Sequence, residues 1–461
     1  MRLLGIFYSV NLIFASTCLA QAPKPVKTPD SIEKMFSDEL NSVRGTTGKE
    51  NEREHRALID ALIDRLEVGD INQRYEAAVL LQKEVTKSDV PVIVEALRKN
   101  EALPEIHIPL IGALGAIKDP AVMEPLRYEF NQGNINAQLA VIDALVDIPD
   151  EKIVNMLADI ISSGDNSQIH VRAAAGLGKI GGERALYALN SVTDRINSGP
   201  AKAATLWSIR YANGEISPKR VDNDIEEGRQ QNYYYKGMTY YVFRPAFRID
   251  ASKSSWALVC IHGSELNFEQ TIDLCQPLAK QFKMTLVVPF FDPVNFPEYE
   301  TFNLHGMRSD KRLLELLDHL GERAEVRTKE FYLIGLGDGG DFVQRFAFFY
   351  PERIARAAFT TTFFYPLEVK QYFPIGLKST PLAPDLKVDF LKIIKTDFAY
   401  ILDPYQGGQK EFKTFQSQMQ EYVLKSQHVP RIRYRELTDK NNSMEGVLRV
   451  AKDFLFPPIN D

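Results

Sequence analysis

The stretch 331–345, FYLIGLGDGGDFVQR, carries the most chemical information in the 461-residue chain. Phe331, Tyr332, Leu333 and Ile334 read as a buried strand, a glycine-dense turn follows, and a helix begins near Gly340. A strand bent sharply into a helix lifts the residue at the tip of the turn clear of the backbone, which suits a side chain that must attack a carbonyl. Here the tip is Gly337, which has no side chain. An attacking hydroxyl or thiol also needs a base, usually histidine. The seven histidines are His55, His107, His170, His262, His305, His319 and His428, so none lies after position 428.

The turn resembles the nucleophile elbow G-x-S-x-G of α/β-hydrolases, with Gly335, Leu336, Gly337, Asp338 and Gly339 at the five positions. The resemblance extends over 233–461. It rests also on a hairpin start, a strand ending in His262-Gly263, and FVQRFAFFYPERIARAAF at 342–359. Esterase-like and polyester-depolymerase-like members are the most similar. In those, an aromatic and proline-rich cap segment follows the elbow strand, and FFYPLEVKQYFPIGLK at 363–378 is its counterpart.

The resemblance implies a chain order of nucleophile, acid, histidine. These positions fall on Gly337, on Asp403 after the strand 398–402, and on Asn442 in the loop 437–446. Glycine cannot attack, and asparagine cannot take a proton from a hydroxyl near neutral pH. No catalytic residue is therefore expected. Sliding the register by one nominates Asp338 as a fallback nucleophile, but puts Leu336 where the tight turn needs a small residue. Otherwise Asp338 and Asp341 are carboxylates favoured by the amino end of a helix. The oxyanion side is implied to remain, at His262, Gly263, Ser264 and Asp338, where a carbonyl or carboxylate would bind. Phe364 and Tyr365, with Tyr372 and Phe373, are the expected apolar lining, although such runs also pack cores.

The elements around these residues alternate. Strands are expected at 233–235, 239–243, 255–261, 285–289, 330–334, 354–360, 398–402 and 431–436. Helices are expected at 268–282, 309–320, 340–350, 411–424 and 444–454. Short apolar strands separated by helices predict a mostly parallel sheet covered on both faces.

The first half repeats instead. IPLIGALGAIKD (108–119), AQLAVIDALVDIPD (137–150) and VRAAAGLGKIGG (171–182) share a small–apolar–x–x–small–Leu–x–x–Ile pattern that breaks at Asp, Pro or Gly. Leu114, Leu145 and Leu177 anchor it, with Leu81 before and Leu206 after. A period near 31 with two helices per unit predicts a stacked α-solenoid. The units resemble short HEAT-type repeats of the phycobilin-lyase kind over 54–214. That resemblance implies a protein-binding face, while a purely structural arm remains equally open.

The expected organisation is a signal peptide at 1–20, a tether and first helix at 21–53, the repeats at 54–214, a linker at 215–232 and the hydrolase-like half at 233–461. Arg2, an apolar run at 3–14, and small residues before Ala20 suit a cleaved secretory leader, hence a periplasmic or extracellular protein. The run is too short for a transmembrane span, and the lead-in to Cys18 is poor for lipid anchoring. Cys260 and Cys275 would then form a disulfide or stay as two buried thiols. The net charge of −6 with scattered Lys and Arg excludes a nucleic-acid surface. No metal or cofactor site is expected: Gly335-x-Gly337-x-x-Gly340 only imitates a dinucleotide fingerprint, and the acidic residues nearby lack ligand partners. The function expected from these features is binding or protein interaction by an exported, inactive hydrolase-like protein. The alternatives are an ester hydrolase working through Asp338, and a purely structural assembly protein.

Overall fold

The computed structural model describes residues 48–457 apart from 149, 164–165, 216–229, 246–254, 264–267, 324–325, 361–371, 375, 403–408, 427–430 and 437–443. The expected leader at 1–20, residues 216–229 of the expected linker, Ser264, Phe364, Tyr365, Asp403 and Asn442 lie outside the described residues; the last three residues of the expected linker, Gln230, Gln231 and Asn232, pair in the first strand instead. The chain divides into two compact units, Met1–Asp60 and Ala61–Asp461. Of the first, the description covers only the helical residues 48–60.

In the second unit, helices α2 (Ile71–Glu84), α4 (Pro104–Ala116), α6 (Ile135–Val146), α8 (Ser167–Ile180) and α10 (Gly199–Ala212) pack in succession, each on the next. Helices α3 (Val90–Asn100), α5 (Met123–Gln132), α7 (Lys152–Ser163) and α9 (Gly182–Thr193) alternate with them; α1 is Gly48–Val68. Side-chain caps start several of these helices. Asp70 accepts from the amides of Asn72 and Gln73, Asn134 from Ala137, and Asn166 from Gln168 and Ile169. The anchor residues Leu81, Leu114, Leu145 and Leu177 are fully buried. Small residues allow close stacking: a Cβ on Gly115 would sit 2.6 Å from that of Ala144, and one on Gly178 would sit 2.8 Å from that of Ser208.

Leu206 departs from the expected pattern, being 47% exposed. Ser208 takes the place facing Gly178 that Ala144 takes facing Gly115. The last helix therefore keeps the 32-residue step, with the half-buried Ile209 in the anchor place, and Leu206, 29 residues after Leu177, falls about one helical turn short of it.

The remainder builds one eight-stranded sheet in the order β1-β2-β4-β3-β5-β6-β7-β8. The strands are β1 (Gln230–Tyr235), β2 (Met238–Phe243), β3 (Ser255–Ile261), β4 (Thr285–Phe290), β5 (Val326–Gly335), β6 (Ile354–Thr360), β7 (Phe398–Leu402) and β8 (Ile432–Glu436). Strand β2 is antiparallel to β1 and β4, and the others run parallel. Lys236 and Gly237, both at positive φ, close the β1–β2 hairpin as a two-residue turn requires. Side chains of β2 alternate between faces. Tyr240 and Val242 join the core under α12 (Ser309–Arg323) and α13 (Gly339–Phe349), while Tyr241 and Phe243 join the core under α11 (Phe268–Phe282) and α16 (Met444–Leu455). Both faces are thus covered, which is why the central strands are nearly all apolar. Helices α14 (Phe390–Lys395) and α15 (Gln409–Ser426) flank β7 in sequence.

Strand β5 starts at Val326, earlier than its apolar run suggests, because Arg327, Lys329 and Glu330 are exposed along its first half. Cys260 on β3 and Cys275 on α11 are both buried and are joined as a disulfide. No described helix is long and apolar enough to cross a membrane.

Candidate functional site: the glycine turn after β5

Strand β5 ends at Gly335, and α13 starts four residues later at Gly339. The turn is tied to the sheet by Leu336 N–H donating to the Ile261 carbonyl at 3.0 Å and by Thr360 Oγ1 donating to the Gly337 carbonyl at 3.1 Å. The amides of Gly339, Gly340 and Asp341 each reach back three residues, to the carbonyls of Leu336, Gly337 and Asp338. The start of the helix is wedged against the ends of β3 and β6. A Cβ on Gly339 would lie 2.4 Å from the His262 carbonyl oxygen, and one on Gly340 would lie 1.6 Å from that of Thr360. Only glycine fits at these two places.

Gly337 differs. It is exposed and holds φ +55, the left-handed conformation expected at the tip of an elbow. Among the described residues, a Cβ built there would meet nothing closer than the Gly263 Cα at 3.8 Å. The backbone has the shape that would present a side chain, and no described residue crowds the place of its Cβ. Asp338 follows, exposed, with no side-chain hydrogen bond to the first amides of α13.

His262 is not placed as a base. It is fully buried; its Nδ1 lies 2.7 Å from the Gly263 carbonyl oxygen, and its Nε2 accepts from the Phe291 N–H at 3.0 Å. These partners fix the neutral Nδ1–H tautomer. Burial pushes its pKa down to about 4, against the raising effect of the Gly263 carbonyl. Its role is to pin the loop after β3 to the loop after β4. Phe373 is fully buried between Phe302 and Phe349, both at 5.2 Å, so it is core and not a pocket wall. Tyr372 stacks on Tyr75 of α2 at 4.6 Å, with its hydroxyl on Glu76.

The structure adds two residues with no motif to mark them, on the short 3₁₀ turn Tyr299–Thr301. The Tyr299 hydroxyl donates to the His262 carbonyl at 2.8 Å, the same oxygen that crowds Gly339. Glu300 lies beside the turn, and its pKa is pushed up to about 7. Desolvation is the largest cause, and Asp338 and Asp341 add to it against the opposing Arg345. Burial first, then the Glu300 carboxylate and after it Asp338 and Asp341, hold the Tyr299 hydroxyl well above its ordinary pKa. The only hint of this in the sequence is the aromatic density of 290–302 directly after a buried strand. Asp292 organises that loop. It is buried, accepts from the amides of Val294 at 3.0 Å and Asn295 at 2.9 Å, and has its pKa raised by burial.

No family model and no curated protein matches the sequence. Among solved structures, poly(aspartic acid) hydrolase-1 from Sphingomonas sp. KT-1 aligns at 16% identity and TM-score 0.42 over 50% of this chain and 98% of its own. A poly(3-hydroxybutyrate) depolymerase from Bordetella parapertussis aligns at 14% identity and TM-score 0.41, over 48% and 83%. An S-formylglutathione hydrolase from Staphylococcus aureus aligns at 16% identity and TM-score 0.36, over 49% and 98%.

Proposed function

We propose that residues 233–461 form an α/β-hydrolase-type module that has lost its hydrolytic chemistry and serves to bind. In this reading the preceding helices are a HEAT-type solenoid that acts as its scaffold, and the protein works after export. The observation that carries the reading is the tip of the turn. Gly337 has the left-handed backbone, no described residue crowds the place of its Cβ, and glycine has no atom to attack with. His262, the histidine nearest in sequence to a cleft motif, has both ring nitrogens committed to backbone groups. Removing a nucleophile typically lowers turnover by about 10⁶, and removing its base as well adds little to that loss. A hydrolase-type site without a nucleophile would hold a ligand and release it unchanged; a small ester or carboxylate is the class that the resemblance suggests. The disulfide on a central strand suits an oxidising compartment. Restoring the lost groups tests the reading. Gly337→Ser combined with Asn442→His is expected to gain slow ester turnover and fluorophosphonate labelling, both absent from the wild type. A double variant that folds and gains neither would remove the hydrolase-type assignment of the cleft.

A second reading has one observation in its favour. Glu300 titrates near neutrality beside Asp338, as a general base would, so the pair could supply the chemistry that Gly337 lacks. Ester turnover by the wild type that is lost in both Asp338→Asn and Glu300→Gln would establish it.

A further inference from the structure

We propose that the helical half is part of the cleft, with Arg172 of α8 as the residue that positions the loop carrying Tyr299 and Glu300. This rests on the reading of the Gly337 turn as a binding cleft. The side chain of Arg172 is 9% exposed. One guanidinium nitrogen donates to Asp143 of α6 at 2.6 Å. Another donates to the Pro297 carbonyl at 3.1 Å and to the Glu298 carboxylate at 3.3 Å. A planar fork shared among three acceptors fixes direction as well as distance, which a lysine could not do.

The next links lead straight to the site. The Glu298 carbonyl accepts from Thr301 N–H at 3.1 Å and Asn303 N–H at 2.9 Å, closing the turn that presents Tyr299 and Glu300. Tyr299 then holds the His262 carbonyl at 2.8 Å, against which Gly339 is wedged. The chain of contacts is Asp143, Arg172, Glu298, Tyr299, His262 and the glycine turn. Helix α10 adds one contact to the end of β4 and one to the loop that follows it. Trp207 meets Phe290 edge-on at 4.7 Å, and the Tyr211 hydroxyl reaches Asn295 at 3.4 Å. Further along, α2 holds the other flank, through Tyr75 stacked on Tyr372 and bonded to Thr380 at 3.1 Å. A helical arm serving only as a spacer would have no need of a buried arginine aimed at a cleft loop.

Hydrogen exchange on the full chain tests this without any ligand, so its outcome is independent of whether the cleft binds or hydrolyses. Arg172→Met is expected to speed exchange about tenfold in 296–303 and 337–341, leaving β7 and β8 at wild-type rates. Glu298→Gln should give the same pattern more weakly. The double variant should add nothing to Arg172→Met, because both remove one interaction. Unchanged exchange in those two segments, an increase spread evenly over the sheet, or additive effects would each overturn the proposal. Should Arg172→Met fail to fold, Glu298→Gln carries the same expectation with the helical half intact.

Discussion

The Tyr299 hydroxyl donates to the His262 carbonyl across 2.8 Å, and that carbonyl is the atom that forbids any side chain at Gly339. One hydrogen bond therefore joins the loop after β4, the loop after β3 and the start of the elbow helix. Tyr299→Phe leaves a buried carbonyl short of its donor, at a cost of about 1–3 kcal/mol. The expected result is a lower denaturant midpoint with an unchanged slope. Stability equal to the wild type would show that the bond does not hold the turn.

Glycines in the turn should separate by position. Gly337→Ser meets no described atom closer than 3.8 Å and bears the left-handed backbone cost, about 1–2 kcal/mol, so the variant should fold. Gly340→Ala drives a Cβ into the Thr360 carbonyl and should cost about 3 kcal/mol or more, or prevent folding. Thermal unfolding of the two variants side by side checks the order. The reverse ranking would contradict the geometry of the turn.

His262 and Glu300 pull the pH dependence in opposite directions. The His262 pKa of about 4 lies below its ordinary 6.5, so the folded state refuses a proton that the unfolded chain accepts. Its contribution is present above pH 6.5 and is lost as pH falls toward 4, by at most ~3 kcal/mol. Glu300, raised to about 7 from 4.5, binds a proton more readily when folded, so it destabilises above pH 7 and that penalty disappears as pH falls to 4.5. Glu300→Gln should therefore raise the unfolding temperature at pH 8 and have little effect at pH 5. An equal shift at both values would mean that Glu300 titrates normally.

The disulfide gives a count that can be checked. The chain has three cysteines, and with Cys260 bonded to Cys275 only Cys18 remains free. Thiol titration of the denatured, unreduced full-length chain is expected to find one thiol, and none once 1–20 is removed. Three thiols in protein recovered from an oxidising compartment would contradict the pairing. Breaking the bond should cost about 3 kcal/mol for a loop of this length.

The strands were legible because a covered parallel sheet demands apolar runs, and those of β3, β4 and β6 contain little else. The start of β5 was not, since its first residues emerge into solvent and carry Arg327, Lys329 and Glu330. In the helical half the leucine period identified the buried seam until Leu206. Leu206 falls one helical turn short of the 32-residue step, and Ser208 with Ile209 takes the place instead. At the site, Gly337 holds the left-handed backbone, and the glycine-dense turn between β5 and α13 that contains it could be read directly from its spacing. Tyr299, Glu300 and Arg172 could not. Their roles arise from contacts between segments distant in sequence, and no periodicity encodes such a contact. His262 was read as part of a ligand loop from its position. Only the packing shows that its ring is spent on backbone partners.

The most direct measurement exposes the purified full chain to a fluorophosphonate probe and a short-chain p-nitrophenyl ester. With nothing at the tip of the turn to attack, the expected result is no labelling and no turnover above buffer. Labelling of any residue in the cleft, or turnover that disappears in Asp338→Asn, would contradict the account.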